Sequence, residues 1–372
     1  MAERLTVSAG NHTRANCPVR VEAPSAEWPE HFYLEGPGGA LVPGDCLGGE
    51  LYFTLPALPA GAKGDYYLRS ELPAVGVALG QEPERITVSL EGKLVTAYNF
   101  APKWVRPFLY PLIGPGDRQV TRNWPMVEVE GEHTDHKHHK SVWVAHGDLN
   151  GTDNWSEEEG HGWQRHQRFE LLFSGAAMGK LVAQIEWQTH EGVAQLEERR
   201  ELTFWRLPGG NLFVDFDLAF TAVGGSILFG DTKEGGLLSV RVATELDVQR
   251  TGTITNSFGG VNEVEAWGKR AHWCDYSGSL DKAELGIAIL EAQTNRFHPT
   301  YWHARDYGLM TANPFGISHF DPASGRRGDF TLAEGETERA SYRLYVHAGD
   351  AHQGQVAESY LDYVAPPEVS FG

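Results

Sequence analysis

The chain has 372 residues, of which 41% are hydrophobic, and its formal net charge is −19 at neutral pH. It is long enough for one large domain or two ordinary ones, and apolar enough to bury a sizeable core. The negative charge excludes nucleic acid and anionic membranes as expected partners, because their phosphates are met by Lys and Arg. No apolar run could span a membrane, and the N-terminus lacks the pattern of a secretory signal. The three cysteines are widely separated, so we expect a cytoplasmic protein.

The predicted elements are almost all strands. The first clear alternation of apolar and polar residues comprises Ile86, Val88 and Leu90. Two more strands are predicted in LVAQIEWQT and ERRELTFWR, followed by a hairpin turn in RLPGGN. The apolar face of the next strand carries Leu212, Val214, Phe216, Leu218 and Phe220. The stretch GQVAESYLDYV predicts a helix, whose apolar face would carry Val356, Tyr360, Leu361 and Val364.

These strands predict an all-β protein, a large antiparallel β-sandwich with few short helices. We find no internal repeat and no linker, so residues 1–372 are expected to form a single β-rich domain. A weak boundary lies near residue 95. Residues 1–95 would form either the outer strands of the sandwich or a separable N-terminal β subdomain, and residues 96–372 would form the main sandwich that carries the site.

Histidines are concentrated in one short stretch of the chain. Seven of the sixteen lie between His133 and His166, around the string DHKHHKSVWVAHGDLNGTDNW. Imidazole titrates near neutral pH, so it gives or takes a proton at little cost, and nearby carboxylates can orient it. If the stretch were a strand, two of the histidines would face one side and a third the other. The candidate catalytic residues here are His138, Lys140, His146 and Asp148. The candidate substrate-binding residues are His136, Asn150, Asp153 and Trp155.

Two later stretches also combine polar and aromatic residues. The first is KEGG, in which Glu234 is a candidate general acid, general base or ligand of a sugar hydroxyl. The second is HPTYWHARDYGLMTANPFG, a loop-rich segment of the kind that often carries binding residues. Its candidate substrate-binding residues are Trp302, His303, Arg305 and Asn313. Tryptophan faces stack on sugar rings, so a carbohydrate substrate is favoured. We expect DHKHHK, KEGG and HPTYWHARDYG to converge on one pocket.

A metal site is a further possibility. His-x-His with a carboxylate suits zinc, manganese or iron, although the sequence contains neither HExxH nor a cysteine pair. If a divalent metal is bound, its ligands would be His136, His138 and Asp148. No cofactor is otherwise expected, because a β core of this size needs no structural metal.

Several strings resemble those of the PmoA-like proteins of unknown function, a family named after a methane oxygenase subunit. They are RPFLYPLIGPG, TRNWPM, DHKHHKSVWVAHGDLNGTDNW, KEGG, WGKRAHWCDYSG and HPTYWHARDYGLMTANPFG, in that order from about Arg106 to Gly316. The resemblance implies a β-supersandwich related to galactose mutarotase-like sugar enzymes, and an association with carbohydrate metabolism. It supplies no catalytic residues, so the assignments above rest on the residues themselves.

The leading hypothesis is a carbohydrate-active enzyme that cleaves a glycosidic bond. As a lyase acting on a 3-keto-glycoside, it would use His138 as the base, with Lys140 or Arg305 to steady the enolate. His146 or Glu234 would protonate the leaving oxygen. As a hydrolase, it would pair Glu234 with Asp148 or Asp153.

Three alternatives stay open: a sugar mutarotase or epimerase, a non-catalytic sugar-binding protein, and a metal-dependent oxygenase. The mutarotase needs one acid and one base, the binding protein needs only the tryptophans, and the oxygenase is supported only by the histidines. The sequence gives no indication of the oligomeric state.

Overall fold

The computed structural model describes residues 4–25 and 28–372, and its first sheet is built mainly from the N-terminal residues. The strands of this region are β1 (Arg4–Ser8), β2 (Arg14–Glu22), β3 (His31–Glu35), β4 (Leu41–Leu47), β5 (Glu50–Leu58) and β6 (Lys63–Arg69). They pair in the order β2-β5-β4-β3-β6-β1, all antiparallel. The sheet has its own apolar core, which includes Leu5, Phe32 and Phe53.

The rest of the chain forms two larger sheets, one small one and three short helices. In chain order the elements are β7 (Val77–Glu82), β8 (Arg85–Leu90), β9 (Lys93–Asn99), β10 (Phe108–Gly114), β11 (Arg118–Gln119), β12 (Val142–His146), β13 (Trp163–Ser174), β14 (Met178–Gln188), β15 (Ala194–Arg206), β16 (Leu212–Ala222), β17 (Ile227–Phe229), β18 (Gly235–Arg241), β19 (Thr253–Asn256), α1 (Asn262–Ala266), β20 (Trp273–Leu280), β21 (Ala283–Glu291), β22 (Tyr301–Arg305), β23 (Leu309–Asn313), α2 (Ile317–Phe320), β24 (Phe330–Leu332), β25 (Thr337–Ala348), α3 (Val356–Val364) and β26 (Glu368–Phe371).

The two larger sheets make the predicted antiparallel sandwich. One runs β22-β23-β18-β12-β10-β9-β8-β7, and the other runs β13-β14-β15-β16-β25-β21-β20-β19. Val88 and Val144 of the first share one continuous core with Leu202 and Val214 of the second. The apolar faces predicted for β8 and β16 both lie in this core, because alternate side chains of a strand point to the same side.

The first sheet includes no strand between Arg69 and residue 95 and is not formed by N-terminal residues alone. Strands β7, β8 and β9 pair within the main sandwich. The C-terminal strand β26 returns to pair with β1. Asp45 of this sheet accepts the backbone N–H groups of Ala176, Ala177 and Met178 at 2.8–3.1 Å. A buried carboxylate therefore ties the first sheet to the β13–β14 hairpin.

The predicted turn and the predicted C-terminal helix are both present. The β15–β16 hairpin turns at Pro208–Gly210, where Gly209 and Gly210 have φ of +73° and +80°, conformations that favour glycine. Helix α3 buries Val356 and Tyr360 against Ala288 and Leu290. Leu361, predicted on the same face, is instead 43% exposed. None of the helices within the described residues is long and apolar enough to span a membrane.

Candidate active site

Three segments that are distant in sequence line one pocket of about 630 Å³. From the first segment come His136, His138, His139, Asp153 and Trp155. From the second come Thr232, Lys233 and Glu234, and from the third His303, Arg305 and Tyr307. The convergence predicted from DHKHHK, KEGG and HPTYWHARDYG is therefore confirmed.

Sheet topology explains why these segments line one pocket: they flank four neighbouring strands, with the histidine segment and the Lys233–Glu234 segment at opposite ends of the β12–β18 pair. Strands β22, β23, β18 and β12 are consecutive neighbours in the sheet, so residues about a hundred positions apart lie side by side. The histidine segment enters β12 beside the end of β18, where Val142 pairs with Val240. The Lys233–Glu234 segment enters β18 beside the end of β12, where Gly235 pairs with His146.

The histidine segment is a loop and not the strand considered above. His136 has a φ of +44°, which breaks the alternation of side chains, and His136, His138 and His139 all line the same pocket. Arg122 holds the loop by donating to the carbonyl oxygens of His133, His136 and His139. A buried guanidinium thus replaces the strand pairing that this backbone would otherwise need.

Asp135 and His136 form a carboxylate–imidazole pair within the loop. His136 Nδ1 lies 3.0 Å from Asp135 Oδ2. Arg241 donates to the other carboxylate oxygen at 2.8 Å, and Arg122 also contacts it. Burial raises the pKa of Asp135, but the hydrogen bond from His136 and the charges of Arg241 and Arg122 outweigh it and lower the pKa well below its ordinary value. An ionised Asp135 favours the proton of neutral His136 on Nδ1, which leaves the Nε2 lone pair as a base.

The two neighbouring histidines are held uncharged. Burial, together with the charge of Arg106, lowers the pKa of His138 to about 3. Burial also lowers the pKa of His139 well below its ordinary value. His139 stacks between His136, with ring centroids 4.8 Å apart, and Trp143, at 5.2 Å. Both imidazoles are therefore neutral at physiological pH.

The opposite wall of the pocket is built on the segment before β18. Lys233 Nζ donates to Glu234 Oε1 at 2.6 Å. His303 Nδ1 lies 2.8 Å from the carbonyl oxygen of Lys233. Asn313 donates to the carbonyl oxygens of Thr232 and Lys233 at 3.0 and 3.1 Å. Asn313, predicted to bind substrate, is thus fully buried outside the pocket and positions the Lys233–Glu234 segment.

His146 and Lys140, two predicted catalytic residues, lie outside the pocket. His146 is fully buried between Phe229 and Phe315, with ring centroids at 5.6 and 4.5 Å. Burial lowers its pKa to about 4. Lys140 is buried in an ion pair with Glu157, and burial lowers the pKa of Lys140 to about 8. Neither side chain lines the pocket.

Asp148, Asn150 and Trp302 also have local structural roles. Asp148 Oδ1 accepts the N–H of Gly151 at 2.8 Å, as in a tight turn. Asn150 accepts from the N–H of Leu228 at 2.7 Å and so joins this turn to β17. Trp302 is fully buried in the sandwich core, where its indole donates to the Ala271 carbonyl oxygen at 3.0 Å. The predicted roles of these three in chemistry or sugar stacking are not supported by their positions.

Asp153 and Trp155 reach the pocket but are constrained. Asp153 accepts the N–H groups of Trp155 and Ser156 at 2.7 and 3.0 Å, and also the Ser156 hydroxyl. Trp155 lines the pocket but is only 1% exposed. Arg305, by contrast, is one-third exposed at the pocket, with Glu263 2.8 Å from its Nε.

The metal ligand set considered above is not assembled. His138 precedes the five-residue strand β12 and Asp148 follows it, so roughly 16 Å of strand, at about 3.3 Å per residue, separates them. Within residues 4–25 and 28–372, no group of three or more His, Cys, Asp or Glu side chains is arranged to hold an ion.

Sequence reasoning missed several residues that organise the site. Asp135, His139 and Tyr307 were not proposed as site residues. Arg122 and Arg241, which hold the histidine loop in place, were also missed. Tyr307 stacks on His136, with ring centroids 5.2 Å apart, and the Arg241 guanidinium lies 4.7 Å from the centre of the Tyr307 ring. The adjacency of Asp135 and His136 in the chain was the one local signal available.

Comparison with known families adds one finding. Residues 85–361, well over half of the chain, match a family of unknown function, DUF6807, and the chain belongs to this family. No curated protein shows a significant match to it. The matched range begins after the first sheet, so the family corresponds to the sandwich and the pocket. The resemblance to PmoA-like and galactose mutarotase-like proteins stays a prediction.

Proposed function

We propose that this DUF6807 protein is a carbohydrate-active lyase that cleaves a glycosidic bond in a sugar already oxidised to a ketone. One observation carries the proposal: His136, oriented by an ionised Asp135, shares a pocket with neutral imidazoles and with Arg305. A base beside uncharged donors and a cation suits the removal of a proton next to a carbonyl group.

The proposed reaction is a β-elimination. His136 Nε2 takes a proton from the carbon next to the ketone, and Arg305 stabilises the enolate oxygen. The electron pair then forms a carbon–carbon double bond as the glycosidic C–O bond breaks. The leaving oxygen takes a proton from the ammonium of Lys233, which Glu234 holds in place. The products are an unsaturated keto sugar and an alcohol, and the reaction needs no oxidant or reductant.

The structure favours His136 over His138 as the base. A pKa of about 3 makes His138 a poor proton acceptor at neutral pH. The Asp135 carboxylate would stabilise the imidazolium that forms on His136 during proton transfer. Arg305 lines the pocket whereas the buried Lys140 does not, which supports Arg305 as the group that steadies the enolate.

Hydrolysis by two carboxylates is less well supported. Asp148 lies in the turn at Gly151, outside the pocket, and Asp153 already accepts three hydrogen bonds from its own turn. Glu234 therefore has no free carboxylate partner of the kind that a glycosidase requires among the residues proposed for that role.

A non-catalytic sugar-binding module is also less well supported. Such a module would need exposed aromatic faces, whereas Trp302 is buried in the core and Trp155 is almost fully buried. A mutarotase would use one base and one acid, which this pocket contains, so assays must separate it from the lyase.

The test uses plain glycosides and 3-keto-glycosides with the wild type and with His136→Ala. We expect cleavage of the keto form alone, and a loss of turnover of roughly a hundredfold or more in the variant. Exposed His352 offers a matched control, since it is not a lining residue of the pocket and His352→Ala removes the same group. Cleavage of plain glycosides that depends on Glu234 would select hydrolysis, and interconversion of anomers or epimers would select the mutarotase.

A further inference from the structure

Two buried histidines of the pocket, His139 and His303, are fixed in opposite tautomers by their partners. We infer that His139 donates a hydrogen bond to the ketone oxygen of the substrate and that His303 accepts one from a sugar hydroxyl. This inference rests on the proposed function and names its substrate class, a keto sugar that keeps a free hydroxyl group.

The tautomer of His139 follows from its contact with Arg241. Arg241 Nη1 lies 3.0 Å from His139 Nδ1, and a guanidinium can only donate. Nδ1 must therefore accept, and the ring proton of His139 lies on Nε2. Arg241 cannot easily turn away, because it is 1% exposed and its Nη2 donates to Asp135. Within the described parts of the chain, Nε2 of His139 has no hydrogen-bond acceptor.

The tautomer of His303 follows from the opposite kind of partner. Its Nδ1 lies 2.8 Å from the carbonyl oxygen of Lys233, and a carbonyl oxygen can only accept. The ring proton of His303 therefore lies on Nδ1, and Nε2 carries a bare lone pair. His303 is 2% exposed, and its buried Nε2 lacks a hydrogen-bond partner among residues 4–25 and 28–372. A buried acceptor of this kind is costly unless a ligand supplies the donor.

The surroundings of His139 favour an oxygen that only accepts. Arg241 is a donor, and the buried indole N–H of Trp143, on which His139 stacks, has no acceptor in the described chain. A ketone oxygen accepts this hydrogen bond with no hydrogen of its own, whereas a hydroxyl group must also find an acceptor for its hydrogen. Burial also lowers the pKa of both imidazoles, to about 4 for His303, so neither becomes a cation at neutral pH. A neutral imidazole can polarise a carbonyl group by donation alone.

The first experiment needs no substrate. Nitrogen-15 NMR of histidine-labelled protein, with signals assigned through His139→Phe and His303→Phe, reports which ring nitrogen carries the proton. We expect the proton on Nε2 of His139 and on Nδ1 of His303 at pH 7, with both rings neutral. The reverse tautomer or an imidazolium at either position would overturn the inference. If a variant fails to fold, correlations from each ring to its own assigned backbone identify the two signals in the wild type.

The second experiment measures binding of a methyl 3-keto-glucoside and of methyl glucoside by calorimetry. His136→Ala protein is used so that the ligand is not consumed. We expect the keto form to bind roughly tenfold more tightly or better, a preference that His139→Phe abolishes. His303→Phe should weaken both ligands, and His352→Phe, the matched control, neither. A preference that survives His139→Phe would overturn the inference.

The two proposals can fail separately. If the keto sugar binds with a preference that depends on His139 but the wild type does not cleave it, the proposed cleavage is wrong and the inference stands. If the wild type cleaves the keto sugar while its selectivity is independent of His139 and His303, the inference is wrong and the proposed function stands.

Discussion

The segments on either side of strand β12 contain the same kinds of residue but differ in what those residues do. Before the strand, Asp135 and His136 form a pair at the pocket, and their outer partners are Arg122 and Arg241. After the strand, His146 is enclosed by two phenylalanines and Asp148 closes a turn. Histidine and carboxylate content therefore does not identify a site. A site is identified instead by the partners that fix each ring and by the open space in front of that ring.

The largest expected effect is a loss of activity on mutation of the segment before β12. His136→Ala should lower kcat by roughly a hundredfold or more, because a general base contributes a factor of this size. Stability should change little, since the side chain is 41% exposed. Steady-state kinetics on a 3-keto-glycoside, with a thermal melt, checks both parts. A variant with wild-type kcat would remove His136 from the mechanism.

The next expected effect is a pH dependence of protein stability that arises from the segment after β12. Burial lowers the pKa of His146 to about 4 in the folded state, against about 6.5 in the unfolded chain. Below pH 6.5 the unfolded state takes up a proton that the folded state does not bind until about pH 4. The stabilisation is therefore present above pH 6.5 and is lost as the pH falls to about 4, by roughly 3 kcal/mol.

The variant His146→Leu isolates this contribution. The free energy of unfolding, measured by denaturant titration at pH 7 and pH 4.5, should fall less with acid in the variant than in the wild type. Equal pH dependence in the two proteins would show that His146 is not held neutral. The kcat at pH 7 should stay within a fewfold of wild type.

A smaller effect on activity is expected from the residue behind the base. Asp135→Asn removes the charge that fixes the His136 tautomer, so kcat should fall by roughly tenfold or more while KM changes little. The pH profile of kcat should also change, because the variant lacks the ionised Asp135 carboxylate. A variant with lower stability but an unchanged pH profile would assign Asp135 a purely structural role.

The smallest effect belongs to the turn after β12. Asn150 joins this turn to β17 and has a φ of +50°. Asn150→Ala should destabilise the protein by about 1–2 kcal/mol and leave kcat unchanged. Asn150→Gly, which tolerates the positive φ, should cost less. A large loss of activity in either variant would contradict the structural assignment of this turn.

Much of the fold could be predicted from the sequence because strand alternation is a local property. The faces of β8 and β16 follow directly from their period of two. The boundary of the first sheet could not be predicted, because it depends on β26 returning from the far end of the chain and on β7 pairing within the main sandwich.

The location of the site was easier to predict than the roles within it. The density of histidine and aromatic residues identified the three converging segments. The roles depend on Arg122 and Arg241, which lie beneath the loop and contact it only after folding. The loop itself departs from strand geometry at His136, so alternation assigned its side chains to the wrong faces.

The measurement that tests the central claim most directly is the kinetic isotope effect on cleavage of a 3-keto-glycoside. Deuterium is placed on the carbon between the ketone and the glycosidic carbon, and the sugar product is weighed by mass spectrometry. If His136 removes that hydrogen isotope, kcat/KM should show a primary isotope effect, and the sugar product should lack the deuterium and be lighter by HDO than a hydrolysis product. The absence of an isotope effect, with a sugar that contains oxygen from the solvent, would contradict the elimination mechanism.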